Sequence, residues 1–183
     1  HTRVLRIDVT GHDHPGLTHS LTAILARSDA RILDVGQAVI HDSLALGMLV
    51  ELTDEMKSSS LLTELLLKAH EIGVRIHFTA ISSEEYDAWV QGQAKGRYIV
   101  SVLGPALNAA HLAAVSGVIA GVGLNIDRID RLSGRTPLEA DGAGRVCVEL
   151  SASGDLSSED EMRSALMALT REAETALAVG LHH

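Results

Sequence analysis

The densest chemistry in the chain lies in one short run, Gly11-His12-Asp13-His14-Pro15-Gly16, set between an alternating apolar stretch and a helical one. At a strand-to-helix junction the unpaired backbone N–H groups and the positive end of the helix dipole suit a carboxylate or another anion. Gly11 and Gly16 allow close approach and unusual backbone angles, and Pro15 stiffens the entry. The carboxylate of Asp13 could meet an ammonium group. An α-amino acid carries both partners. The same residues also serve a plainer purpose, Asp13 as a helix cap and the glycines as turns, and spacing alone does not separate the two readings.

A second cluster follows the same logic further along. Gly104-Pro105-Ala106-Leu107-Asn108 closes another strand, and Gly123-Leu124-Asn125-Ile126-Asp127 reads as a turn between a helix and the next strand. The amides of Asn108 and Asn125 donate and accept at once, which suits a zwitterion and suits turn capping equally well. His12, His14, His19 and His41 invite a metal reading, yet no Cys/His spacing or His-Glu-x-x-His pattern organises them, so no metal site is assigned. Catalysis is harder still to find. There is no nucleophile elbow, no phosphate-binding glycine loop ending in Lys-Ser/Thr and no dinucleotide fingerprint.

The whole-chain balance narrows the function class. An apolar fraction of 46% over 183 residues supports a real core, and an aromatic fraction of 2% leaves a nucleic-acid stacking surface almost nothing to stack with. A formal net charge of -9, with no run of Lys or Arg, argues against phosphate-backbone binding. The lone cysteine, Cys147, reads as a buried strand residue and fits a reducing compartment. The first residues alternate in charge, and no stretch approaches about 20 uninterrupted apolar residues, so a soluble cytoplasmic protein is expected.

These clusters sit on a pattern that occurs twice. VLRIDVTG predicts a strand, LTHSLTAILARSDA a helix, ILDVGQAVI and LALGMLVEL two strands around the turn His41-Asp42-Ser43, and VRIHFTAI a last strand. The helix between these, KSSSLLTELLLKAHEIG, is expected to turn Leu61, Leu62, Leu65, Leu66, Ala69 and Ile72 inward. The plan restarts at RYIVSVLG, with a helix expected to be interrupted at Gly117, the strands LNIDRIDRL and GRVCVELSA, the helix EDEMRSALMALTREAE and the strand TALAVGL. A polar segment, Ser133 to Gly144, joins the middle strands of this second copy. Each copy is thus expected as a βαββαβ unit of the α/β class: a ferredoxin-like antiparallel sheet with helices on one face. The boundaries fall at 1–83 and 97–183, with a linker at 84–96 in which Tyr86 and Trp89 suggest a short docked helix.

The loop GHDHPG, the hairpin QAVIHDSLALGMLVEL and, in the second copy, YIVSVLG followed by GVGLNIDRIDRLSG occur in an order that resembles the tandem ACT domains at the N-terminus of bacterial phosphoserine phosphatases. The likeness covers essentially the whole chain. In that family the ACT pair precedes a magnesium-dependent phosphatase domain of the haloacid-dehalogenase type, whose Asp-x-Asp-x-Thr nucleophile motif is missing here. The resemblance therefore implies a regulatory fragment, itself neither catalytic nor cofactor-bearing. It implies an amino-acid ligand, L-serine as the pathway product, and a homodimer, with the C-terminal phosphatase domain as partner and neither nucleic acid nor membrane involved. Carried over by position, the implied ligand residues are Gly11, His12, Asp13, Pro15 and Gly16 of the first loop, Gly104 and Asn108 of the second, and Asn125 with Asp127. The first copy lacks the asparagine and the second lacks Asp-x-Pro-Gly, so one composite site between unlike halves is expected. A purely structural dimerisation module and a stand-alone ACT regulator of another protein are the alternatives.

Overall fold

Alternation and helical periodicity decide where each segment goes, and the computed structural model describes residues 3–53, 55–93, 95–138, 145–172 and 178–183. In the first unit the elements run β1 (Arg3–His12), α1 (Leu17–Arg27), β2 (Arg31–Ile40), β3 (Ser43–Leu52), α2 (Glu55–Ile72) and β4 (Arg75–Ile81). The sheet is antiparallel throughout, in the order β2-β3-β1-β4. Leu5, Ile7 and Val9 of β1 point to one face and meet Leu44, Leu46, Met48 and Val50 of β3. Onto that face α1 lays Leu17, Leu21, Ile24 and Leu25, and α2 lays Leu61, Leu65 and Ala69. Each such leucine is worth about 1.5–3 kcal/mol of burial, which makes this cluster the stabilising heart of the unit.

The spacing of α2 explains one departure from expectation. Leu61, Leu65 and Ala69 recur every four residues and fill the contact stripe, so Leu66, one step around the helix, is turned out and is 49% exposed. Leu62 and Ile72 lie at the margin, packed against the core but partly exposed.

A helix, α3 (Ser83–Gln93), follows β4, with Ser82 Oγ accepting the N–H of Glu85 at 3.1 Å as its N-terminal cap and Glu84 and Glu85 in its first turn. It occupies most of the span expected as linker. The chain divides at the middle of this helix into two compact units, His1–Trp89 and Val90–His183.

The second unit repeats the plan: β5 (Gly96–Gly104), α4 (Ala109–Gly121), β6 (Leu124–Arg131), β7 (Val146–Gly154), α5 (Glu159–Glu172) and β8 (Ala178–His182), with sheet order β6-β7-β5-β8. Its core gathers Val100, Val102, Val115, Ile119, Val148, Leu150, Met162 and Leu166. Gly117 does not interrupt α4. A glycine inside a helix costs roughly 1 kcal/mol against alanine without breaking the hydrogen-bond ladder, and Val115 and Ile119 on either side anchor the helix to the core. Cys147 is half-buried rather than buried, because its neighbours Val146 and Val148 bracket it in an alternating strand and Val148 takes the core side. The expected polar connection from Ser133 lies outside the described residues at 139–144.

Both units carry the same irregularity. The pairing of the second strand with the third slips by one residue at Leu33 in the first unit and at Asp127 in the second. A bulge bends and twists its strand locally. Its recurrence at matching positions is an independent sign that the halves share one plan. No helix among the described residues is long and apolar enough to cross a membrane.

Candidate ligand-binding site

The first candidate loop is built by two glycines with distinct jobs. Gly11 has φ 153°, and a Cβ there would stand 3.0 Å from Val74 Cγ1 and 3.2 Å from Val74 Cα, so only glycine lets β1 pass the end of α2. Gly16, at φ 80° and ψ 1°, occupies the N-cap of α1 and offers no side chain to the helix. Leu17 N–H reaches His14 O at 3.3 Å. The N–H groups of Thr18 and His19 find no acceptor among the described residues, so α1 presents the open, positive end expected of an anion site.

Asp13 lies in the loop that leads to the Gly16 cap. It does not cap the helix, since no side chain does. Its own N–H donates to Asp42 O at 2.8 Å, which ties the loop to the β2–β3 turn, while its exposed carboxylate makes no hydrogen bond among the described residues. Pro15 is exposed beside it. His12 adds a second tie, its Nδ1 lying 3.4 Å from Asp42 Oδ2, and His41 Nδ1 lies 3.0 Å from Asp42 Oδ1. The hydrogen bond to His41, helped by the charges of His41 and His12, holds the Asp42 carboxyl below its ordinary value. The rings of His12 and His14 meet edge to face at 5.6 Å. Among the described residues no group of three or more His, Cys, Asp or Glu has the geometry to hold a metal ion.

Asp42 and His41 belong to this neighbourhood although the sequence marked them only as a hairpin turn. His41 has φ 56°, a left-handed backbone that suits the tight turn. The available signal was the short His-Asp-Ser connection itself, which must bring the hairpin tip beside the end of the strand paired with it. In the register His12 faces Ser43.

The second loop is arranged differently. Gly104 is buried at the end of β5, and Asn108, with φ -105° and ψ 167°, is the N-cap of α4. Asn108 Oδ1 accepts the N–H of His111 at 2.9 Å, and Leu112 N–H donates to Asn108 O at 3.2 Å. This helix end is closed by its own side chain. Beside it, His111 Nδ1 is buried without a hydrogen-bond partner.

Asn125 and Asp127 are strand residues and not a turn, because β6 begins at Leu124, directly after Gly123 with φ 87°. Leu124 drops into the core and starts the pairing with Gly154. Asp127 is the extra residue of the bulge. The bulge lets Asn125 Nδ2 donate to Asp127 Oδ1 at 3.1 Å. The structure therefore joins Asn125 to Asp127 and gathers Gly11, His12, Asp13, Pro15 and Gly16 into one loop, while no hydrogen bond links Asn108 to Asn125. By register the residue matching Asn125 in the first unit is Arg31, which reaches Glu51 at 3.7 Å.

Comparisons with known proteins agree with this duplicated plan. Residues 3–79 and 97–180 each match a family model described as ACT domain. Phosphoserine phosphatase SerB2 of Mycobacterium tuberculosis is 31% identical over 128 residues, a match that takes in 69% of this chain and 30% of that protein. A UPF0237 protein of Methanopyrus kandleri is 38% identical over 71 residues, covering 38% of this chain and 79% of that one. Among solved structures, a protein of unknown function from Galdieria sulphuraria superposes with a TM-score of 0.73 at 21% identity, covering 100% of this chain and 98% of the other. A structure assigned as a glycine cleavage system transcriptional repressor gives 0.65 at 13% identity, covering 99% and 98%. At these identities the structural likeness speaks for the fold alone. With ferredoxin-like topology in both halves and an ACT match over each, the chain belongs to the ACT domain family, regulatory amino-acid-binding modules, and carries two of them in tandem.

Proposed function

We propose that this chain is the amino-acid-sensing and assembly region of a phosphoserine phosphatase, with L-serine as ligand and no catalytic role of its own. The observation that carries the reading is the open N-terminus of α1: backbone N–H groups without acceptors beside the uncommitted carboxylate of Asp13. An α-carboxylate fits the first and an α-ammonium the second, and one amino acid carries both. Gly11, His12, Pro15 and Gly16 shape the loop, whereas Asn108 and Asn125 already have partners within the second unit. The likeness to the mycobacterial phosphatase, partial as it is, supports the link to phosphoserine chemistry. Magnesium and phosphate transfer belong to the phosphatase domain, the C-terminal partner.

Assembly as a homodimer draws on a different feature. β2 is an edge strand of 10 residues on which Ile32, Val35, Val39 and Ile40 are all exposed, and bare edges of that length invite pairing. Ligand binding would regulate an attached domain to the extent that the two arrangements of the assembly differ in affinity for it.

Calorimetric titration with L-serine, glycine and D-serine tests the reading. Saturable heat selective for L-serine, lost by at least ten-fold in affinity in Asp13→Ala with dimerisation retained, is the expected result. No heat at millimolar serine, with dimerisation intact, would replace sensing with a purely structural assembly role.

A further inference from the structure

The outer face of the first sheet, away from α1 and α2, holds a feature that amino-acid sensing at the loops does not use. β1 presents Arg6 and Asp8 there, β2 presents Asp34 and Gly36, and β3 presents Gly47 and Leu49. Gly36 and Gly47 face each other across the β2–β3 ladder, so two positions lack side chains just where the sheet would otherwise be covered. Above this floor stands α3, with Glu85, Tyr86 and Trp89 toward it. The space between is a cleft of about 440 Å³, within the size range of small-molecule sites. All its lining residues belong to the first unit.

The chemistry of the walls is specific. Tyr86 and Trp89 stand with ring centroids 6.0 Å apart and form an aromatic side. Arg6 Nε is bound to Asp8 Oδ2 at 3.0 Å, which cancels that pair of charges. Asp34 and Glu85 have no ion-pair partner among the described residues, so the cleft keeps an excess of two negative charges beside two aromatic rings. α3 itself buries none of its residues fully, and a free helix of this length is marginal in water. Filling the cleft would give the helix the packing it lacks.

We infer that this cleft binds a small organic cation: an ammonium group held by Asp34 and Glu85, attached to a flat apolar body lying on the Gly36–Gly47 floor against Tyr86 and Trp89. Carboxylates and ring faces both favour a cation, and the bare floor favours a planar group. Occupancy would clamp α3, the helix that leads from the first unit into the second.

Trp89 is the single tryptophan of the chain, so its fluorescence reports on the cleft directly. The full chain is titrated with phenethylammonium, 2-phenylethanol and 3-phenylpropionate. The expected result is a saturable change in Trp89 emission with phenethylammonium at millimolar concentration or below, at least ten-fold weaker with the alcohol and the acid. Asp34→Asn combined with Glu85→Gln should erase the preference for the ammonium over the alcohol. Gly36→Val should remove binding while preserving the unfolding midpoint, because a Cβ there meets nothing within 4 Å and valine suits a strand. Equal responses to all three probes, no saturation, or unchanged affinity in Gly36→Val would each overturn the inference. L-serine heat measured on Gly36→Val separates the two sites: the amino-acid site should persist there even when the cleft is filled.

Discussion

The two strand-to-helix junctions, Gly11 to Leu17 and Gly104 to Ala109, start from the same backbone plan and treat the helix end in opposite ways. Asn108 spends its carbonyl oxygen on the N–H of His111, and Asn125 spends its amide on Asp127. In the first unit Gly16 spends nothing, Asp13 keeps its carboxylate free, and the loop is held from outside by the hairpin turn through Asp42. A duplicated fold has thus put its polar groups to two uses. In the second unit they stabilise the helix; in the first they are left for something else to satisfy. The contrast sets the first loop apart as the end left open to a ligand.

The largest test of this contrast asks whether the halves are energetically separate. Leu65 is fully buried between Leu61 and Ala69 in the first core and belongs to no cluster of the second. Leu65→Ala should cost the first unit about 2–5 kcal/mol through the cavity it leaves. Amide hydrogen exchange resolves the outcome by position: protection should fall at Ile7, Val9 and Met48 and hold at Val100 and Leu150. An equal loss at both sets would mean that the two cores melt as one, and the comparison between units would have to be recast as a comparison within a single cooperative body.

Much of this was legible in the sequence, for identifiable reasons. Strands such as Leu5 to Thr10 alternate, helices such as Leu17 to Leu25 carry their leucines at helical spacing, and glycines mark the ends, so the repeated order of elements follows from period. Positions that depend on a neighbour were not legible. Leu66 has the residue type of an inward position, but Leu61, Leu65 and Ala69 fill the stripe and turn it out. Asn125 falls where an expected turn, Gly123 to Asp127, overlaps an expected strand from Leu124, and its pairing with Ser153 makes it strand. The bulge at Asp127 leaves no mark in residue type. The same holds for the site: the first loop announced itself by composition, but the grip of Asp42 on it depends on which strand pairs with which.

A smaller effect is expected from Asn108→Ala. Removing a side-chain N-cap costs about 1 kcal/mol, and the loss should appear as a lower denaturation midpoint for the second unit, with amides around His111 and Leu112 exchanging faster. L-serine affinity should change less than two-fold, in contrast to the ten-fold or greater loss in Asp13→Ala. A variant that lost serine binding as fully as Asp13→Ala would reverse the assignment, making the second loop the ligand end and Asn108 more than a cap.

The smallest effect concerns the hairpin turn that meets the first loop. His41 Nδ1 stands 3.0 Å from Asp42 Oδ1, and this hydrogen bond, the largest influence on the group, keeps the Asp42 carboxyl ionised below its ordinary value of 3.8. A depressed carboxyl favours the folded arrangement when it is ionised. Its contribution is therefore complete above pH 3.8 and drains away as the pH falls through the lower, folded value. Carboxyl-detected NMR titration should place the Asp42 midpoint under 3.8. His41→Gly, which keeps the left-handed turn at φ 56° and removes the ring, should move that midpoint back upward. Because Asp42 is exposed, global stability should hardly register the change; the readout is local. The N–H of Asp13, donated to Asp42 O, should exchange faster in the variant, since the backbone bond then holds the loop with less help from the side chains. An Asp42 midpoint at or above 3.8 would mean that the His41 hydrogen bond does not hold the carboxylate of the turn, and the turn would then meet Asp13 through the backbone hydrogen bond alone.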